Sequence, residues 1–430
     1  MTQAPKSAAQ DSTPKLADLV RSGDEQTAAV AVTPFIFLSR DVSNAHLVTT
    51  SDGDVMINTG MPDGAERTAA LFAPHRTGPL RYIFLTQSHA DHFGGVPDFQ
   101  EDGAKVVGGP GFAEALGDMM GLQPFFGKRT FKLWGSTLKR DKPSRPIPNV
   151  APDILVDRTL TLDVGNRTFE LISAPEGETI DNIVVWMPRE KIVFTGNTFG
   201  PVWLSMPFLN TLRGDKPRLV RNYLKAVEKV RDLGAEIVIT GHGEPIVGKD
   251  KIRADLDKLH AAVSYVRDFT LEGMKAGMTV HELMHAFAFP DDLKIGEFHG
   301  KASWAVKSIW REYSGWLHYE DGTTELYGVP RSSVDADLAE LAGGADKLAE
   351  RGEARLAAGQ PLEALHLAGI ALGADPANRA ALGVKRGASA LLLERSGQSN
   401  LSETMWLRSE IAEIDQMLEG GVPEGGALKA

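Results

Sequence analysis

The stretch Thr86-Gln87-Ser88-His89-Ala90-Asp91-His92-Phe93-Gly94-Gly95 constrains this chain more than any other. It follows an apolar run, Leu80 to Leu85, whose length and composition predict a buried strand. The glycine pair at its end stops the strand and lets a turn or helix begin. Two histidines and an aspartate are therefore gathered on one loop at a strand end. Packing gives no reason to put them there. A metal does, because imidazole nitrogen and carboxylate oxygen are the ligands zinc takes where cysteine is absent. The chain has no cysteine at all, so disulfides, a thiolate nucleophile and a cysteine-zinc site are excluded.

The residues around this loop predict two similar halves. Ala29 to Val32, Phe35 to Leu38 and His46 to Thr50 read as strands, and Ser51-Asp52-Gly53-Asp54 as the hairpin turn into Val55 to Asn58. Asp63 to His75 has helical spacing, Lys105 to Val107 is a strand and Gly111 to Gly121 a short helix. A second block follows. Thr159 to Asp163 and Thr168 to Ile172 form a hairpin, Ile183 to Met187 and Lys191 to Phe194 another, and Glu236 to Thr240 a strand after the amphipathic helix Lys216 to Leu233. Strands and helices in this order, with polar residues at the strand ends, predict an α/β class of four layers, αββα, two packed sheets with outer helices. Between the halves, residues 125–152 show little periodicity. This long insertion reads equally as a lid or substrate loop and as a plain surface excursion.

After Pro245 the pattern becomes all-α. Lys251 to Met274, Val280 to Ala288 and Lys301 to Tyr313 are predicted helices, followed by an Ala/Leu-rich series, Leu338 to Arg351, Pro361 to Leu372, Asn378 to Ser396 and Glu403 to Leu418. We therefore expect a flexible N-terminal arm over 1–27, a catalytic domain over 28–250, a helical domain over 251–419 and a loose tail over 420–430. With 430 residues there is length enough for such domains to have their own cores. A net charge of −11 and no basic stripe argue against nucleic acid and against anionic membrane surfaces. The first residues lack the apolar segment of a secretory signal, and no apolar run approaches the roughly 20 residues that span a bilayer, so a cytoplasmic location is expected.

Three more strand ends offer polar groups: Glu176-Gly177-Glu178 before the strand at Ile183, Asn197 after Gly196, and Gly241-His242-Gly243 after Thr240. Taken together, these residues resemble a metallo-β-lactamase-fold hydrolase. Thr86 to His92 stands where that superfamily has its His-x-His-x-Asp-His loop, and His242 matches its final histidine. Glu178 falls where most members place a histidine and where the alkyl sulfatase branch uses a glutamate. The segment Ala302 to Leu317, the runs Gly343-Gly344-Ala345-Asp346 and Ala374 to Asn378, and Thr211-Leu212-Arg213-Gly214 resemble that branch and its dimerisation domain. The resemblance covers about Ala28 to Leu418, and a further sterol-carrier-like domain of the family is expected to be absent.

This resemblance implies a metal set of Gln87, His89, Asp91, His92, Glu178, Asn197 and His242, with Arg213 and Asn182 at the substrate. Three positions depart from the family pattern: Gln87 replaces the first loop histidine, Asn197 the bridging carboxylate, and Asn182 an acidic residue. A neutral amide binds zinc more weakly than imidazole or carboxylate and cannot bridge two ions through anionic oxygens. The expectation is one tight ion at Asp91, His92 and His242, with a weak or absent second at Gln87, His89 and Glu178.

The implied reaction is metal-dependent hydrolysis, with Asp91 as ligand and holder of the water proton and Arg213 as clamp for an anionic leaving group such as sulfate. Three readings compete: an alkyl-sulfatase-like enzyme acting on a small sulfate ester as a homodimer, a hydrolase of another ester or lactone on the same scaffold, and a dimeric descendant without chemistry. His281-Glu282-Leu283-Met284-His285 also fits the zincin helix pattern, with Glu297 and His299 the nearest candidates for a third ligand. Three fixed positions arise easily by chance, and we expect this segment to be an ordinary helix. Trp304, Trp310 and Trp316 are expected mostly in the core, one of them lining a channel for an alkyl chain.

Overall fold

The structure is a computed structural model that describes residues 16–138, 144–318, 320 and 322–420. Among these residues thirteen strands form two sheets. The first holds β1 (Val30–Thr33), β2 (Ile36–Ser39), β3 (Ala45–Thr50), β4 (Gly53–Ile57), β5 (Leu80–Phe84), β6 (Lys105–Gly108) and β7 (Ile154–Leu155), side by side in that order. The second holds β8 (Thr159–Val164), β9 (Arg167–Ser173), β10 (Ile183–Met187), β11 (Ile192–Gly196), β12 (Ile237–Thr240) and β13 (Ile246–Val247).

Alternation along the strands builds the layers. Val55 and Ile57 of β4, Phe84 of β5 and Val107 of β6 turn toward Phe169, Leu171, Val185 and Phe194 of the other sheet, making one inter-sheet core. Their sequence neighbours face the other way. Met56, Ile83 and Val106 pack with Phe72, Phe93 and Phe112 outside the first sheet. Val184, Val193 and Val238 pack beneath the helices Val220–Asp232 and Lys249–Lys275 outside the second. The result is the four-layer αββα arrangement expected from the sequence.

Most neighbouring strands run antiparallel, but β4, β5, β6 and β7 are parallel, and so are β11 and β12. Each parallel step needs a crossover, supplied by helix Ala65–Phe72 between β4 and β5 and by helix Val220–Asp232 between β11 and β12. The carboxyl ends of β5, β11 and β12 then come to one edge, where open α/β sheets place their ligands.

Among the described residues no strand follows β13, and no helix is long and apolar enough to cross a membrane. The helices Asp335–Leu341, Ala345–Ala357, Pro361–Ala374, Arg379–Arg395 and Leu401–Leu418 pack in succession. We call the last of these the terminal helix.

Several expectations need correction. The predicted helix Leu338 to Arg351 is two, broken at Gly343 and Gly344, whose φ values of 89° and 112° suit glycine and end a helical path. The insertion 125–152 is not irregular throughout, because Gln123–Trp134 is a helix with Pro124 in its first turn. We call it the wall helix. Residues 139–143 of the insertion lie outside the described residues. The arm expected over 1–27 is not loose in its second half. Helix Leu16–Leu19 buries Leu16, and Val20 beside it is buried against Val42 and Val202. Residues 1–15, and the tail beyond Gly420, lie outside the described residues.

Candidate metal centre

The loop after β5 is fixed before any ligand is considered. Asn58 accepts the Thr86 amide at 3.0 Å, and Ile183 donates its amide to the Thr86 carbonyl at 2.9 Å. Ser88 donates to Asp181 at 2.7 Å, and Thr59 donates its amide to the His92 carbonyl at 2.8 Å. His89 then precedes a single helical turn, Ala90–Phe93, anchored by fully buried Phe93 against Phe112. Two glycines make room around the site. A side chain on Gly241 would strike the Asn197 Oδ1 and the His92 ring. One on Gly196 would strike Thr86 and Gln87.

Asp91, His92 and His242 converge. One ligand-type atom from each lies within 4.8 Å of the others. Asp91 Oδ2 is 3.5 Å from His92 Nε2 and 3.9 Å from His242 Nε2. Burial pushes the His92 pKa down to about 3 and lowers that of His242, so both rings are neutral at pH 7, the form that ligates a metal. Burial works against a charged Asp91, but His92, His242 and His89 outweigh it and hold its carboxyl below the usual range. Both His92 ring nitrogens, His242 Nδ1 and Asn197 Oδ1 are buried without a hydrogen-bond partner. Such orphans cost roughly 1–3 kcal/mol each unless something binds them, and a cation is what this donor set fits.

The other half of the predicted set is arranged differently. The Gln87 side-chain oxygen accepts the Asn197 amide at 2.9 Å, and its nitrogen donates to His89 Nδ1 at 3.0 Å. His89 Nε2 lies 3.1 Å from Asp215 Oδ2 and 2.8 Å from Arg213 Nη2. Glu178 is paired with Arg218 at 2.8 Å, and both are buried. His89 and Glu178 are near each other, 3.6 Å apart, but each already has protein partners.

Asn182, expected at the substrate, is corrected. It is fully buried. Its amide donates to the Thr86 carbonyl at 2.9 Å and its oxygen accepts from Thr198 at 2.8 Å, so it straps two strand ends together. Arg213 does line the cavity over the site. The zincin pattern dissolves. His281 and His285 are exposed, and Glu282 closes a capping box with Thr279.

The cavity has a volume of about 670 Å³ and takes in His89, Asp91, Glu178, Asn197, Arg213 and His242. Its apolar wall includes Met61, Phe126, Phe131, Leu133, Trp134 and Leu138. Of the three tryptophans expected mostly in the core, none lines the cavity. Trp304 packs on Phe208, Trp310 on the core and Trp316 is exposed, while Trp134 of the wall helix takes the place. Sequence reading missed Asp215 and Arg218, although both lie just beyond Arg213, and it named His299 only in the zincin context.

Residues 38–242 match the metallo-beta-lactamase superfamily, and residues 279–414 match the alkyl sulfatase dimerisation family. The linear primary-alkylsulfatase of Pseudomonas sp. (strain ATCC 19151) is 26% identical over 405 residues, covering 87% of this chain and 75% of the relative. An (R)-specific secondary-alkylsulfatase of Pseudomonas sp. is 25% identical, covering 79% of this chain and 55% of the relative. The solved structure of the inverting sec-alkylsulfatase Pisa1 from Pseudomonas sp. superposes with a TM-score of 0.79 at 22% identity, over 90% of this chain and 65% of that one. It shares the fold. This chain thus spans only about half to three quarters of the length of these relatives. Residues 38–242 are thus a metallo-β-lactamase superfamily domain and residues 279–414 an alkyl sulfatase dimerisation domain.

Proposed function

We propose that this protein hydrolyses the sulfate ester of a small amphiphile, using a single zinc ion held by Asp91, His92 and His242. One observation carries the reading: the cavity over those three residues joins an arginine-bearing polar region to a wall of large apolar side chains. A headgroup with negative charge and an alkyl tail fit such a surface. The sulfatase names of the relatives point the same way. Zinc suits two imidazoles and a carboxylate, with Asn197 Oδ1 beside them.

When bound, a divalent ion supplies Lewis acidity that brings the pKa of water from about 16 toward about 7. The residues do the rest. Asp91, held ionised, accepts or orients the water proton. Arg213, about a quarter exposed to the cavity, offers guanidinium N–H groups to sulfate oxygens. The apolar wall excludes water from the tail. The domains are a catalytic unit over about 28–250 and a helical unit over 251–419. Through the latter the chain forms a homodimer, in keeping with its exposed Trp316, Tyr327 and Leu341.

The test is sulfate release from dodecyl sulfate by the zinc-loaded protein, with His242→Ala as control. Sulfate release by the wild type and none by the variant supports the reading. Turnover of carboxylic esters or lactones without sulfate release would replace it with the second hydrolase.

A further inference from the structure

Among the polar side chains of the cavity that belong to neither the metal set nor Arg213, one is an imidazole. It belongs to His299, on the loop before helix Ala302–Ser314. Its ring sits edge-on to Phe208, centroids 4.8 Å apart, and 5.9 Å from Trp134. Burial pushes its pKa down to about 3, helped by Arg218, Arg213, His242 and His89, so it is a neutral imidazole beside the cavity's positive groups.

The terminal helix holds this loop. Asn400 donates its side-chain amide to the carbonyls of Glu297, His299 and Gly300 at 2.8, 3.2 and 3.3 Å. Leu401 donates its amide to the Phe298 carbonyl at 2.9 Å. Ser402 Oγ, buried, lies 2.8 Å from His299 Nδ1. That is the hydroxyl's one side-chain hydrogen bond among the described residues. A buried hydroxyl must place its hydrogen on an acceptor, so Ser402 donates to Nδ1. The ring proton is then on Nε2, which has no hydrogen-bond partner among the described residues, on a side chain that lines the cavity.

We propose that His299 is a substrate-binding residue whose Nε2–H donates a hydrogen bond to an oxygen of the sulfuryl group, and that Ser402 of the terminal helix is the positioning residue that fixes this tautomer. The assignment of a sulfuryl group rests on the sulfate-ester reading; the donor does not. A neutral donor adds to the anion site without needing a counter-charge. It also makes the helical domain part of the substrate site within one chain.

The experiment uses the full-length, zinc-loaded protein. Binding of octanesulfonate, which cannot be hydrolysed, is measured by calorimetry, and sulfate release from octyl sulfate is measured alongside. His299→Phe, which keeps ring volume and loses the donor, is expected to weaken octanesulfonate binding and to lower kcat/KM by roughly 10- to 100-fold, as for a lost hydrogen bond to a charged group. His299→Gln is expected to stay within about 5-fold of wild type, Ser402→Ala to fall between the two, and Ser402→Thr to recover. Zinc content should not change in any of them.

Equal octanesulfonate binding by wild type and His299→Phe overturns the proposal. So does equal impairment of the Phe and Gln variants, which would mark a packing role. If His299→Phe does not fold, the Ser402→Ala and Ser402→Thr pair decides. A wild type that binds octanesulfonate but releases no sulfate overturns the hydrolytic reading alone.

Discussion

The number of metal ions per chain follows from the bonds already held by His89 and Glu178. A second ion would need His89 and Glu178. Glu178 is held by Arg218 at 2.8 Å, with only 9% and 7% of the two side chains exposed. Removing a carboxylate from a buried pair of this kind costs about 3–5 kcal/mol. His89 would have to give up Gln87 at Nδ1 or Asp215 at Nε2, each bond worth roughly 1–3 kcal/mol. Together these come to about 4–8 kcal/mol, which weakens a second ion by roughly 10³- to 10⁶-fold against an unencumbered site.

The wild type should therefore bind one zinc per chain tightly. Inductively coupled plasma mass spectrometry after dialysis against a mild chelator should give a ratio near one. Arg218→Met frees Glu178 and should raise the ratio toward two in excess zinc, without loss of the first ion. Two ions per wild-type chain that survive dialysis would refute the reasoning. So would an Arg218→Met protein whose second-site affinity does not change.

Further predictions concern the metal site, the core, the wall helix and the response to acid. His242→Ala should lose its tight zinc and at least about 10³-fold in turnover while its circular dichroism is unchanged, since one of three good ligands is gone. Phe169→Ala empties a fully buried position against Phe84 and should destabilise the inter-sheet core by about 3–5 kcal/mol in urea melts, where a change below about 1 kcal/mol would contradict the packing. Lys132 of the wall helix bonds Glu413 at 2.8 Å and pairs with Glu410, both on the terminal helix. Lys132→Met should speed hydrogen exchange in the terminal helix, while Lys132→Arg should not. His46 is buried, with its pKa pushed down to about 3. The unfolded chain takes up its proton near pH 6.5 and the folded chain does not, so this residue costs stability as pH falls from about 6.5 toward 3, about 2 kcal/mol by pH 5. His46→Leu should flatten that limb of the stability profile, and an unchanged slope between pH 7 and 5 would contradict it.

What the sequence made legible was periodic or dense. Val55, Ile57 and Phe84 alternate with Met56 and Ile83, and that alternation alone implies a sheet covered on both faces. Asp91, His92 and His242 stand at strand ends, which a layered fold brings to one edge. What it hid depended on partners far away in the chain. Nothing near Glu178 announces Arg218, and nothing near His299 announces Ser402. Asn182 was expected at the substrate because the resemblance sets it where the family has an acidic residue, yet its amide group is consumed by Thr86 and Thr198. Local signals also misled. Weak periodicity over 125–152 hid a helix that starts at Gln123, and the Ala/Leu rhythm around Gly343-Gly344 masked two residues with positive φ.

The clasp made by Asn400, Leu401 and Ser402 has a bearing on how the protein comes into being. A ribosome adds roughly 5–20 residues per second, so about 15 to 60 seconds separate His92 from Ser402 during synthesis. Both sheets can close in that interval, and an ion can settle among Asp91, His92 and His242. The opposite side of the cavity waits for the terminal helix to emerge and grip the 297–300 loop. A nascent chain stalled before Asn400 would thus carry a loaded metal centre with no finished place for a substrate to rest.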